Sequence, residues 1–201
     1  MTETVEPNPK LIEYYSISKS LFTDFDDKKN EFDSEQEWHY ILSNLDQNIF
    51  LLKRLDDLNL LKDSIKMVDC GIGLGTTLYD FYLQSKEFKN KTFYFTGIEK
   101  HEIYTEFLKK NLLEKWNGEL TLIEDDIINQ NYGDYDIVYT YTPFRNKEKL
   151  KSFYQKVADE VKPGSILIEN KSSGLGLNGI LTEIIGLKKI SIDDIVVFVK
   201  E

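Results

Sequence analysis

The residues best suited to chemistry are Val68-Asp69-Cys70-Gly71-Ile72-Gly73-Leu74-Gly75. An apolar run, Ile65 to Asp69, leads into them and reads as a buried strand. Thr76 to Gln84 follows and reads as a short helix. In an open α/β sheet, ligands bind at the carboxyl ends of strands, where the strand order reverses. Glycines let backbone approach the ligand. The helix amino terminus offers unpaired N–H groups and a partial positive charge.

Two ligand classes use such a loop. A dinucleotide would set its pyrophosphate there. S-adenosylmethionine would set its methionine part there, which carries an ammonium and a carboxylate. Asp69, two residues before the first glycine, attracts an ammonium and repels a pyrophosphate. The spacing agrees, because the third glycine of G-x-G-x-x-G would fall on Thr76. A literal G-x-G-x-x-G does occur at Gly174-Leu175-Gly176-Leu177-Asn178-Gly179. The residues after it are too few for the βαβ unit that fingerprint requires, so it reads as a flexible loop near the site.

D-x-G-x-G-x-G after a strand is joined by two further acids in order. Glu99 ends Phe95-Thr96-Gly97-Ile98-Glu99, and Glu124-Asp125-Asp126-Ile127 follows a third strand. Together these motifs resemble the class I S-adenosylmethionine-dependent methyltransferases, over residues 38 to 201. The resemblance implies that Asp69 orients the methionine ammonium and that Gly71, Gly73 and Gly75 supply close-approach backbone. It implies that Glu99 accepts hydrogen bonds from both ribose hydroxyls, a task that suits a carboxylate's lone pairs. Asp126 would accept from the adenine amine with Ile127 against the ring, and Asp125 is the competing assignment. Cys70 reads as a small packing residue of the loop. His39 and His101 have no metal-spaced partners, so no metal site is expected.

The fourth strand ends Val138-Tyr139-Thr140-Tyr141-Thr142-Pro143-Phe144. Amino-methylating members of the superfamily often carry an Asn or Asp, two prolines and an aromatic here. This chain keeps Pro143 and Phe144 but has Tyr141 and Thr142 in the first places. That departure argues against methylation of nucleic-acid bases. Tyr139 and Tyr141 are candidates to hydrogen-bond or orient an acceptor amine. Strand neighbours point to opposite faces, so packing competes with that role here. The acceptor is expected to be a small molecule or a protein, with some similarity to small protein-lysine methyltransferases.

These groups need a scaffold. Strands are expected at Ile65–Asp69, Thr92–Ile98, Leu120–Ile123, Asp136–Tyr141 and Ser165–Glu169. Helical spacing lies between them, at Ile103 to Trp116 and Leu150 to Val161. This is α/β patterning, with right-handed crossovers and a sheet covered on both faces. Ile184 to Ile190 and Ile195 to Val199 are joined too tightly for a crossover helix and read as a terminal antiparallel hairpin. The fold class is therefore a Rossmann-like, seven-stranded, mostly parallel mixed sheet. Ser34 to Glu37 fits a capping box. Trp38, Ile41, Leu42, Leu45, Ile49, Leu52 and Leu55 then predict one long amphipathic helix.

The chain has 201 residues, 25 Lys plus Arg and 35 Asp plus Glu, for a formal net charge of −10. That charge argues against nonspecific nucleic-acid binding and against anionic membranes. Residues 1 to 35 hold nine acids and four bases, so 4 − 9 = −5 sits in that segment. With Tyr14, Tyr15, Phe22, Phe25 and Phe32, it reads as an extension packed through its aromatics. It is expected to lie over the cofactor mouth, ahead of a binding domain at 36–201. One cysteine, a polar start and no long apolar run make a cytoplasmic protein the expectation. Two rivals remain at this point. One is an NAD-dependent oxidoreductase. The other is a non-catalytic scaffold of the same fold.

Overall fold

The computed structural model describes residues 7–26, 50–141, 143–169, 183–192 and 195–201. Among them are α1 (Pro9–Asp26), α2 (Leu51–Asp57), β1 (Ser64–Cys70), α3 (Thr76–Ser85), β2 (Thr92–Ile98) and α4 (Glu102–Phe107). β3 (Leu120–Ile123), β4 (Ile137–Thr140), α5 (Lys147–Glu160), β5 (Ile166–Glu169), β6 (Leu187–Ile192) and β7 (Ile195–Lys200) follow. The sheet has seven strands in the order β3-β2-β1-β4-β5-β7-β6. β1 to β5 pair in parallel, and β7 runs antiparallel to both β5 and β6. The chain winds outward from β1 to β3, then returns to lay β4 on the other side of β1. The reversal falls between β1 and β4, so the carboxyl ends there form the natural crevice.

Side-chain alternation along β1 divides the core. Ile65 and Met67 join Leu11, Tyr14, Leu52, Leu78 and Phe81 on the face covered by α1, α2, α3 and α4. Val68 and Cys70 join Leu150, Phe153, Val157 and Phe198 on the face covered by α5. Two apolar residues on each side of one strand thus anchor two helical layers. Asn146 starts α5 by accepting the Lys149 N–H at 3.0 Å, a side-chain cap for an otherwise orphaned donor.

Two expectations about helices are corrected. Phe50 has a left-handed backbone (φ 59°), so the helix carrying Leu52 and Leu55 begins at Leu51 and does not run on from Ser34. Residues 27–49 lie outside those described. The Ile103–Trp116 segment is helical but not uniform. After α4 it widens to a π turn at Leu108–Leu112 and tightens to a 3-10 turn at Leu113–Lys115. The widening puts Leu108 and Leu112 against Gly75, with side-chain carbons 2.7 and 2.9 Å from where a Cβ would stand.

Candidate functional site

β1 delivers Asp69 and Cys70 to the carboxyl edge, and the loop turns at once. Gly71, Gly73 and Gly75 all have positive φ (75°, 55° and 77°). Such angles are strained for residues with a Cβ. Gly71 and Ile72 donate their N–H groups back to the Ile98 carbonyl of β2, at 2.9 and 3.0 Å. This folds the loop over the neighbouring strand. Ile72 then lies so close to Gly97 that a Cβ there would stand 2.4 Å from its Cδ1. A Cβ on Gly71 would meet nothing within 4 Å, so that side of the loop is open. Gly75 stands at the start of α3, whose first turn is buried.

Asp69 is 3% exposed and Glu99 is 6% exposed. Burial pushes the Asp69 carboxyl up to about 8, and the nearby charge of Glu99 adds to the rise. Burial also raises Glu99, against the pull of the hydrogen bonds it accepts. Glu99 Oε2 accepts the Gly73 N–H at 3.0 Å, and Oε1 accepts the Lys100 and His101 N–H groups, both at 2.9 Å. The second strand's acid is therefore tied to the middle of the glycine loop. Two buried carboxylates acting on each other make a site that favours a cation, because a positive group offsets both the desolvation and the repulsion.

The two competing acids follow β3 and differ in their partners. Asp125 is used within its own turn. It accepts from Asp126 N–H (2.7 Å), Asn129 Nδ2 (2.8 Å) and Gln130 Nε2 (2.7 Å). These bonds hold its carboxyl below the usual range. Asp126 accepts the Ile128 N–H at 3.1 Å and has Lys100 Nζ at 3.9 Å from its other oxygen. It is half-buried, while Ile127 is buried. Glu99 N–H bonds to Ile123 O at 3.0 Å, which links the β2 and β3 ends.

The β4 candidates part company. Tyr139 pairs in register with Asp69 but is 1% exposed, and its ring meets Phe81 of α3 edge-on at 5.2 Å. Its side chain is core. Tyr141 is half-buried at the strand end, packed against the same cluster. Thr142 lies outside the described residues, as does the glycine run at 174–179. Cys70 is buried with Sγ 3.7 Å from Tyr132 Oη, and burial pushes its thiol well up, as expected of a packing residue. His101 stands just before α4, without a side-chain cap, and its ring meets Tyr104 edge-on at 5.9 Å.

Sequence reasoning missed two features. Asp80, in the middle of α3, is buried enough to be raised to about 6, with a hydrogen bond from Gln84 opposing the rise. Gln84 in turn accepts the Leu52 N–H at 3.2 Å and so ties α2 to α3. Tyr14 of α1 donates its hydroxyl to the Leu74 carbonyl, inside the glycine loop, at 2.7 Å. The aromatic content of the amino-terminal segment hinted at packing. No local signal named the partner, which is sixty residues away.

In sequence, the chain matches no protein-family model and no curated protein. Solved structures do resemble it. A Methanococcus maripaludis protein assigned as an S-adenosylmethionine-dependent methyltransferase superposes with a TM-score of 0.58 at 13% identity, covering 100% of this chain and 97% of that one. An S-adenosylmethionine-dependent methyltransferase of Clostridium acetobutylicum gives 0.53 at 14% identity, over 89% of this chain. This chain spans 65% of the Clostridium protein's length. The precorrin-6y C5,15-methyltransferase of Geobacter metallireducens gives 0.50 at 16% identity, over 74% of this chain and 88% of that one. The fold is that of the class I S-adenosylmethionine-dependent methyltransferases.

Proposed function

We propose that this chain, with a class I methyltransferase fold, binds S-adenosylmethionine and transfers its methyl group to a small-molecule or protein acceptor. One observation carries the reading. Asp69 and Glu99 lie buried at the neighbouring carboxyl ends of β1 and β2, close enough for the charge of Glu99 to act on Asp69, and Glu99 grips the Gly73 N–H. A cationic amino acid group relieves that pair, whereas a pyrophosphate would add charge to it. The open side of Gly71 leaves room for the group beside them.

In this proposal Asp69 holds the ammonium. Glu99 holds the ribose, and its bond to Gly73 keeps the loop in register with it. Asp126 takes the adenine amine, with Ile127 against the ring, because Asp125 is already used within its turn. The bound cofactor supplies an already activated methyl group. The protein's remaining task is to place the acceptor in line and keep water out. Tyr141, at the half-exposed end of β4, orients the acceptor. Tyr139 supports the site from the core.

The proposal keeps the division into an extension (1–35) and a binding domain (36–201). α1 is docked on the domain by Leu11, Tyr14 and Ser18, all buried. Most of the rest of that segment lies outside the described residues. Among the described residues no helix is long and apolar enough to cross a membrane.

Calorimetric titration with S-adenosylmethionine and with NAD tests the cofactor. Binding of the first alone is expected. Tight NAD binding without the other would make the chain an oxidoreductase, and binding of neither by folded protein would make it a scaffold. A tritiated-methyl assay in fractionated lysate then tells a protein acceptor from a small molecule.

A further inference from the structure

The Leu74–Gly75 peptide is fixed at both ends. Its N–H, on Gly75, donates to Ile72 O at 2.9 Å. Its carbonyl, on Leu74, accepts the Tyr14 hydroxyl at 2.7 Å. The first helical acceptor of α3 is the Gly75 carbonyl, which takes the Tyr79 N–H at 2.9 Å. Leu74 O therefore lies just outside the helical ladder, and a buried carbonyl there needs a donor from elsewhere. α1 supplies it from a residue with no exposed surface.

The placement of Tyr14 is itself over-determined. Its ring lies 4.9 Å from Tyr79 and 6.3 Å from Phe107, between α3 and α4. Its hydroxyl lies 3.5 Å from where a Gly75 Cβ would stand, on the far side of which are Leu108 and Leu112. Leu11 and Ser18, one turn away on either side, are buried with it. Outside this seam, Glu13 pairs with Lys115 at 2.7 Å, at the exposed end of the helical segment after α4.

We infer that Tyr14 is a positioning residue for the cofactor loop, so that docking of α1 and occupancy of the cofactor site are thermodynamically linked. The inference rests on the cofactor reading above. Glu99 fixes the loop from the β2 side at Gly73, and Tyr14 fixes it from the α1 side at Leu74. A ligand that needs the loop in this shape tightens α1, and by reciprocity a docked α1 tightens the ligand. The amino-terminal helix is then part of the binding machinery by way of its contact with the loop.

The test is Tyr14→Phe, which keeps the ring and removes the donor. Calorimetry should show S-adenosylmethionine binding about 3- to 10-fold more weakly, the loss of one neutral hydrogen bond. Hydrogen exchange adds a readout that mere stability does not move. In the wild type the cofactor should slow exchange of the amides of residues 9–26, and in Tyr14→Phe that slowing should disappear. Glu13→Gln, which removes only the exposed ion pair, should leave both unchanged. If Tyr14→Phe does not fold, Leu11→Ala loosens the same helix without touching the loop and should weaken binding in the same direction. A wild-type chain that binds no S-adenosylmethionine overturns the function reading and this inference with it. Wild-type binding with equal affinity in Tyr14→Phe, and cofactor protection of α1 retained, overturns the inference alone.

Discussion

The carboxyl ends of β1, β2 and β3 differ in kind from those of β4 and β5. Each of the first three has an acid at its edge: buried Asp69 in β1, Glu99 after β2, whose oxygens meet the Gly73, Lys100 and His101 N–H groups, and Asp126 after β3, which meets that of Ile128. The other two strands are buried along their whole length. Their polar ends point into the core. Tyr139 packs on Phe81, and Glu169 accepts the Tyr154 hydroxyl of α5 at 2.9 Å. One half of the edge carries carboxylates that are buried or tied to backbone N–H groups. The other half is a packed wall.

The strongest way to break this contrast is to damage the loop itself. Gly75→Ala would demand a left-handed alanine and a Cβ 2.7 Å from Leu108 Cδ2. Strain and overpacking together should cost about 2–4 kcal/mol of stability, measured by denaturant unfolding. Asp69→Asn should leave the fold intact and weaken S-adenosylmethionine by about 10- to 100-fold in calorimetry, the loss of one charge-assisted hydrogen bond.

The pH dependence follows from the same residue. Free Asp69 holds a proton up to about 8, and an ammonium binds its ionised form. Affinity should therefore rise with pH between about 6 and 8, by at most about tenfold per unit, with proton release on binding. Above that the ligand's own α-amino group, near 8, begins to lose its charge and the rise should stop. Asp69→Asn should flatten the profile. Without ligand, the raised carboxyl works against the fold. That cost is absent below about pH 4, where folded and unfolded chains are both protonated, grows as pH rises from there to about 8, and is constant above.

The smallest effect sharpens the β3 assignment. Asp126→Asn should weaken the cofactor by about 3- to 10-fold. Asp125→Asn should change it less than about 2-fold, while loosening the turn that Asn129 and Gln130 close. A reversed order would exchange their roles.

The half that the sequence renders legible is the half built by local rules. Glycines at fixed spacing, and acids just past strands, act through backbone within a few residues of themselves. That is why Asp69, Glu99 and the loop could be located, and why β2 and β3 have the expected bounds. The antiparallel hairpin was legible because its connection is too short for a helix. The expectation of one helix continuing into Leu52 and Leu55 is broken at Phe50, since apolar spacing carries no signal for a left-handed residue. The π turn at Leu108–Leu112 was invisible because a single widened turn shifts the period too little. Asp80 gave no sign of burial, as an acid in a helix usually faces water. Tyr14 showed that it would pack but not on what, because contact across sixty residues is decided by tertiary fit.

Cys70 has a practical consequence. It is the chain's one cysteine, and it sits beneath the glycine loop with its thiol shielded and held protonated by burial. Alkylating reagents that need a thiolate will pass it by. A cysteine introduced on the surface would then be the single reactive position of the protein. Ile12, 44% exposed on α1, is a fitting place for one. A dye attached there would follow the amino-terminal helix by fluorescence, with no second label to subtract.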